Sequence, residues 1–190
     1  MTDDDEVRRV WAASAAPEPF HAIVRLLLLT AARREEVGAM RWDEIKGDLW
    51  TLPPERHKTG RTAGELVRPL SKAAIAIVNA QPRIQGSPYI FGQRGFGNWT
   101  AANERFDRES GVVNWGLHGL RKTARTLLSR AKIDSDLAER MLGHARPSIQ
   151  KTYDHHKFIE EQRVAFEALS SLIERVANPV DNVIAIGARQ

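Results

Sequence analysis

From Phe20 to Ala32 the chain reads FHAIVRLLLLTAA, and its apolar residues recur at helical spacing before filling in almost completely. A helix that is apolar nearly all round cannot sit on a surface, so this stretch predicts a mostly buried helix. The run Ile23 to Ala32 is interrupted by Arg25 and is too short for a bilayer span, which needs about 20 apolar residues. A chain of 190 residues is long enough for one well-buried core, or for one domain with a small appendage. With 42% hydrophobic and 27% charged residues it reads as soluble and globular.

Around that helix the pattern changes twice. Thr2, followed by Asp5, marks a helix start, and Pro17-Glu18-Pro19 breaks that helix. After Arg33-Arg34-Glu35-Glu36-Val37, with Val37, Met40 and Trp42 turning inward, three short apolar segments follow: Trp42–Ile45, Leu49–Leu52 and Leu66–Leu70. They are separated by Lys46-Gly47-Asp48 and by the loop 55–64, which predicts a three-stranded antiparallel meander. Ser71 caps a helix to about Ala80, and residues 81–98 form a loop with a brief strand at Tyr89–Phe91. Helices are predicted over Trp99–Glu109, 118–130, 134–142 and 147–154. A final amphipathic one spans 157–176, with Phe158, Val164, Phe166, Leu169, Leu172, Ile173 and Val176 as its apolar stripe. Pro179 onward reads as a frayed tail. The expected class is mainly α with a small three-stranded antiparallel β-sheet.

With no cysteine, disulfides, thiolate metal sites and cysteine catalysis are excluded. The acidic start (Asp3, Asp4, Asp5, Glu6) is unlike the basic start of a signal peptide, so an intracellular protein is expected. A formal charge of +4 is only modest support for a polyanionic partner, but its distribution is uneven. Residues 117–157 carry nine Lys and Arg against Asp134, Asp136, Glu139 and Asp154, as a phosphate-binding surface requires.

The same segment holds the residues with the most chemistry. His118 and Arg121 are three apart, so on a helix they share a face and can reach one phosphate; the exposed face of a basic helix is an equally good reading of that spacing. Leu142-Gly143-His144 follows a helix end closed by Gly143, where a His is most simply a cap. Tyr153 needs neighbouring cations to act as a nucleophile, because a free phenol ionises only near pH 10. The other tyrosine, Tyr89, has an apolar, structural setting. His155-His156 are adjacent and without a carboxylate cluster, which makes a surface pair rather than a metal site. Arg33 lies just beyond the buried helix with Glu36 one turn on, either a plain salt bridge or a phosphate-binding Arg held by a carboxylate. Lys58 sits in the loop between the second and third strands. Arg56, His57 and Arg61 beside it, with Lys122 and Arg146, are candidate phosphate contacts or solubilising charges.

The order Arg33, Lys58, His118-x-x-Arg121, His144, Tyr153 resembles the catalytic domain of the tyrosine recombinases, the phage integrase family. Thr30-Ala31-Ala32-Arg33-Arg34-Glu35-Glu36-Val37 is similar to the family's Thr-Gly-x-Arg-x-x-Glu-Leu/Val box, and His118-Gly119-Leu120-Arg121-Lys122-Thr123 to His-Asp-Leu-Arg-Arg-Thr. Leu142-Gly143-His144 and Ile149 to Tyr153 complete the pattern, and Arg83 to Phe91 resembles prophage and integrative-element integrases. Ala31 stands for the usual Gly, a small-for-small change. Gly119 stands for the usual Asp and removes a possible cap for the helix carrying Arg121. The resemblance implies a catalytic domain at 1–176, a flexible tail at 177–190, and no core-binding or arm-binding domain in this chain.

It further implies site-specific recombination by a metal-independent transesterification with no cofactor. In that scheme Tyr153 attacks the scissile phosphate to form a 3′-phosphotyrosyl bond, and Arg33 and Arg121 bind its non-bridging oxygens. Lys58 protonates the 5′ oxygen, His118 assists proton transfer, His144 donates a hydrogen bond, and Glu36 orients its neighbours. The implied partners are double-stranded DNA attachment sites and, in a full-length protein, a tetramer; the chain alone would be a monomer. A cytoplasmic, nucleoid-associated location follows. The alternatives are a type IB topoisomerase-like activity and a weakly catalytic DNA-binding module.

Overall fold

The computed structural model describes residues 3–112, 115–144 and 158–179. Its centre is the helix the apolar run predicts, α2 (Pro19–Thr30), in which Ile23, Val24 and Leu26 to Leu29 are buried. Each such side chain contributes about 1.5–3 kcal/mol on leaving water. Pro19 starts α2 with its φ already suited to a helix. At the other end Thr30 Oγ1 donates to the Leu26 carbonyl at 2.6 Å and accepts the Ala32 N–H at 3.3 Å, and Ala31 turns the chain through a left-handed φ of 50°. For a residue with a Cβ that turn costs roughly 1–2 kcal/mol.

Around α2 pack α5 (Lys72–Asn79), α7 (Leu117–Arg130) and the last described helix, α9 (Ile159–Ala177). The first helix, α1 (Asp4–Ala13), lies on α9 and on α6 (Trp99–Ser110), and α8 (Ser135–Met141) sits beside α7 and α9. The start of α1 is capped by Asp3, whose side chain accepts from the Asp5 N–H, rather than by Thr2. Phe20, Phe96, Trp99, Phe106 and Trp115 form an aromatic cluster of edge-to-face and tilted pairs that joins α2 to α6. No described helix is long and apolar enough to cross a membrane.

The sheet is antiparallel with strands in sequence order, β1 (Ile45–Lys46), β2 (Leu49–Leu52) and β3 (Leu66–Pro69). Leu49 pairs with Pro69 and Trp50 with Arg68. Two expectations are corrected here. Trp42–Glu44 is a 3-10 turn rather than strand, because the buried Glu44 carboxylate folds back to accept the Arg41 N–H. Tyr89 forms only a bridge to Arg41, not a strand over Tyr89–Phe91. Its ring lies under the Arg41 guanidinium, which fits a structural role.

Helix α9 buries Ala165, Phe166, Leu169, Ile173 and Val176 against its own chain, packing on α1, α2, α7 and β3. Val164 does not belong to that stripe: it is 70% exposed, because the true helical phase places Ala165 inward. The helix expected at 147–154 and the tail from residue 180 lie outside the described residues.

Candidate active site

Helix ends supply the framework of the site. The last carbonyls of an α-helix have no partner within it, and they carry the negative end of its dipole. Here two helix ends converge on one guanidinium. Arg121, on the first turns of α7, donates Nη1 to the Ala31 carbonyl at 2.5 Å and Nη2 to the Leu142 carbonyl at 2.6 Å. The first carbonyl follows α2 and the second closes α8. Nη2 also lies 3.1 Å from His144 Nε2.

Arg33 is placed by local chemistry of the same kind. It is the N-cap of α3 (Arg34–Gly38), and Glu36 in that helix's first turn reaches back to accept the Arg33 backbone N–H at 3.0 Å. Glu36 also receives Arg33 Nη1 at 2.8 Å. The expected pairing of these two residues is therefore present. What sequence reasoning missed is a third member: Arg68 of β3, wholly buried, reaches the other Glu36 oxygen through Nη2 at 3.0 Å. Its Nε donates to the Met141 carbonyl at 3.2 Å, and its Nη1 has no hydrogen-bond partner among the described residues. The available signal was a lone cation in the otherwise apolar segment Leu66–Leu70.

These contacts set the charge states. Burial pushes the Glu36 carboxyl upward, but the Arg68 charge and the two hydrogen bonds from Arg33 outweigh it and hold Glu36 below its usual range. Burial, together with the charges of Arg33 and Arg68, pushes Arg121 down to about 9, so it stays protonated at neutral pH. Two guanidiniums, of Arg33 and Arg68, thus hold one buried carboxylate, and Arg121 lies near enough to feel all three charges. The excess of positive charge suits an oxyanion, and each fork that points into the site can bind two of its oxygens.

Beside Arg33 runs a groove of about 800 Å³ lined by Arg33, Arg56, His57, Lys58 and His118 together with Trp99 and Asn103 of α6. Lys58 and His118 are exposed on it. The loop carrying Lys58 is more structured than its composition suggests. It contains a 3-10 turn at Pro54–Arg56 and a short helix α4 (Gly60–Ala63). Thr59 Oγ1 donates to the Gly143 carbonyl at 2.9 Å and so ties the loop to the turn before His144.

Two of the expected DNA contacts, Arg56 and His57, line the groove and are also held by the protein itself. His57 is buried, with Nε2 at 2.8 Å from the Gly64 carbonyl and Nδ1 near Thr59, so it shapes the loop. Arg56 is bound by Glu44 at 2.7 Å, and Glu44 also accepts from Trp50 Nε1 at 3.0 Å. Arg61 and Lys122 are exposed. Arg146, Tyr153 and the pair His155-His156 lie outside the described residues.

Gly143 closes α8 as its sequence context suggests. With φ at 68°, its N–H bonds the Arg140 carbonyl at 2.8 Å and the His144 N–H bonds the Glu139 carbonyl at 3.1 Å. Gly119 corrects an expectation: it is the third residue of α7, whose N-cap is Gly116, so an Asp there would add a first-turn carboxylate rather than the cap.

The architecture has known counterparts. The chain is similar to the lambda integrase dimer bound to a COC′ core site, with a TM-score of 0.56 and 19% identity over 79% of this chain and 57% of that one. It is also similar to a lambda integrase tetramer bound to a Holliday junction, with a TM-score of 0.55 and 19% identity over 80% and 47% of the two chains. At that identity the likeness speaks for the fold, the tyrosine recombinase catalytic-domain fold. Sequence relatives include prophage integrase IntA of Escherichia coli K12, 28% identical over 155 residues, which are 77% of this chain and 37% of that protein. Prophage integrase IntZ of the same strain is 27% identical over 83% of this chain and 41% of its own length. The integrase of Enterobacteria phage P4 is 25% identical over 86% and 42%. The chain therefore spans less than half the length of these relatives. A family model described as the phage integrase family matches residues 1–160, which include the helix ends, the Arg33–Glu36 pair and the Arg121 turn, and the chain belongs to that family.

Proposed function

We propose that this chain carries the strand-cleaving site of a tyrosine recombinase and acts in site-specific DNA recombination. The observation that carries the reading is that Arg33 and Arg121, from distant segments and each held by buried partners, come close enough for their charges to act on one another, with Arg33 lining the groove that also holds Lys58 and His118. Such preorganised donors stabilise the charge that develops on a phosphate in its transition state and need no reorganisation as it forms.

In the proposed reaction the Tyr153 hydroxyl attacks phosphorus, with His118 taking its proton. The bond to the 5′ oxygen breaks, and Lys58 protonates that oxygen as it leaves. A 3′-phosphotyrosyl bond and a 5′-hydroxyl result, and the reverse attack by another strand's 5′-hydroxyl rejoins DNA without ATP. Arg33 and Arg121 hold the non-bridging oxygens, with His144 beside Arg121 as a further donor. Glu36 keeps Arg33 in place. Arg61, Lys122 and Arg146 follow the flanking backbone, and Arg56 and His57, which line the groove beside Lys58, shape its loop. The proposed partners are duplex attachment sites and, for synapsis, further copies of the recombinase.

The test is covalent trapping on a pool of nicked duplexes randomised in sequence around the nick. The wild-type chain is expected to form a denaturant-resistant DNA adduct and Tyr153→Phe none. An adduct with Tyr153→Phe, or none with wild type, removes the reading. A second reading, relaxation of supercoiled DNA in the manner of a type IB topoisomerase, draws support from α9, whose apolar stripe is taken up by its own chain. Relaxation of a plasmid lacking any recombination product would favour it.

A further inference from the structure

We propose that Glu139 is a positioning residue for His144, holding the imidazole in the tautomer protonated at Nδ1 with Nε2 directed at the phosphate-binding face of Arg121. The proposal rests on the reading of this groove as a DNA-cleaving site. It starts from a donor count. A guanidinium nitrogen only donates, so the 3.1 Å approach of Arg121 Nη2 to His144 Nε2 requires Nε2 to accept. The ring proton of the neutral imidazole is then on Nδ1, and Nδ1 lies in a short hydrogen bond with Glu139 Oε2. The other carboxylate oxygen, Oε1, is held by Arg125 Nε at 2.9 Å. Arg125, Glu139, His144 and Arg121 thus form one continuous chain of hydrogen bonds from α7 through α8 and back to α7.

The helix-closing turn makes this contact. When a helix ends through a left-handed glycine, the residue after the glycine folds back over the one five positions earlier, and an apolar pair is the usual occupant. Here those positions are His144 and Glu139, joined also by the His144 N–H to the Glu139 carbonyl at 3.1 Å. A carboxylate stands where a hydrophobic contact ordinarily would, and it is held below the usual carboxylate range by Arg125 and then by His144.

The consequence concerns the oxygen that Arg121 binds. With Nδ1–H anchored, Nε2 is the ring atom facing that oxygen, and it can donate only as imidazolium, after taking a proton from solvent. A carboxylate on Nδ1 fixes the orientation of the ring, as carboxylates do behind other working histidines. His144 alone, half exposed at the end of a turn, would be free to rotate and to carry its proton on either nitrogen.

Two measurements test this on the 190-residue chain. In the DNA-free protein, ¹⁵N spectra of labelled histidine are expected to show His144 protonated at Nδ1. Glu139→Ala should move it toward the Nε2–H form while the remaining spectrum is preserved, because Glu139 is 44% exposed and its loss leaves no buried orphan. On the randomised nicked duplexes, Glu139→Ala should slow adduct formation by about 10–100-fold with DNA affinity within roughly twofold of wild type. Glu139→Gln, whose amide oxygen still accepts from Nδ1–H, should keep the tautomer and recover part of the rate. An Nε2–H tautomer in wild type, or a Glu139→Ala variant with unchanged tautomer and rate, overturns the assignment. Absence of adduct in every variant alongside a switched tautomer would overturn the DNA-cleavage reading and leave the Glu139–His144 link standing.

Discussion

Arg68 and Glu36 form an ion pair with almost no access to water, at 0% and 2% exposure of their side chains. Taking one partner away from such a pair leaves an uncompensated buried charge, which costs about 3–5 kcal/mol. Glu36→Gln is therefore expected to lower unfolding stability by that amount in a denaturant titration, and to loosen Arg33 as well. The pH dependence has a definite sign. Because the folded-state pKa of Glu36 lies below its ordinary value of 4.5, its stabilising contribution is complete above that value and is lost as pH falls through the lowered folded-state pKa. An acid titration of the wild type should show stability falling in that window, and the same titration of Glu36→Gln should show a shallower fall. At this scale the sequence was half legible. Arg33 with Glu36 could be read from their spacing on one short helix, but Arg68 lies on a strand 32 positions beyond Glu36 and no local pattern points to it. The partner of Arg56 was hidden for the same reason, since Glu44 arrives from a different turn.

Among the elements, the Lys58 loop is the one whose internal geometry has least tolerance. A Cβ placed on Gly60 would lie 1.7 Å from the Pro54 carbonyl oxygen, so the short helix α4 can close over the 3-10 turn only with glycine there. Gly60→Ala must displace the loop and, with it, Lys58. A misplacement of order 1 Å in a catalytic group costs about 100-fold in rate, so adduct formation should fall by about that factor. Global stability should change far less than with Phe166→Ala in the core of α9, which is expected to cost about 3–5 kcal/mol. Parallel adduct-formation rates and thermal melts of the two variants would separate the effects. A Gly60→Ala variant with unaltered cleavage would show that the loop position is unimportant. Composition suggested an open loop at 55–64 because Gly, Lys and Arg dominate it. The buried His57 stiffens it from within through the Gly64 carbonyl, and the Thr59 bond to the Gly143 carbonyl, which also stiffens it, depends on α8 being alongside.

For the molecule as a whole, the site is a place where folding gathers like charges before any ligand is bound. Arg121 has a folded-state value lowered to about 9, so above that pH the native state releases a proton that the unfolded chain still holds. Charged Arg121 therefore costs stability below pH 9, and stability from this group rises with pH above that value. An oxyanion in the site offsets that cost. Sulfate is expected to raise the unfolding free energy at pH 7, by about 2.7 kcal/mol at a hundred times its dissociation constant, and to lose part of that effect as pH passes about 9. Equal stabilisation at pH 7 and pH 10, or none at either, would count against a phosphate-binding site built on Arg121.

What the sequence determined by itself was the set of features with a short-range cause. The buried α2, the antiparallel hairpin strands, the Ser71 cap, the Gly143 helix end and the Arg33–Glu36 turn each follow from side-chain periodicity, capping chemistry or a φ that only certain residues adopt cheaply. The ordered motifs then pointed to the family. What only the tertiary structure decided was which charged group meets which. It put Arg68 under the site, set the carbonyls of Ala31 and Leu142 on Arg121, and drew Arg56 and His57 inward. It also set the rotation of α9 that leaves Val164 in water. The partner of a buried ionisable group is whichever segment arrives beside it, and that depends on how α2, α7, α8 and the sheet pack together, which no window of neighbouring residues contains.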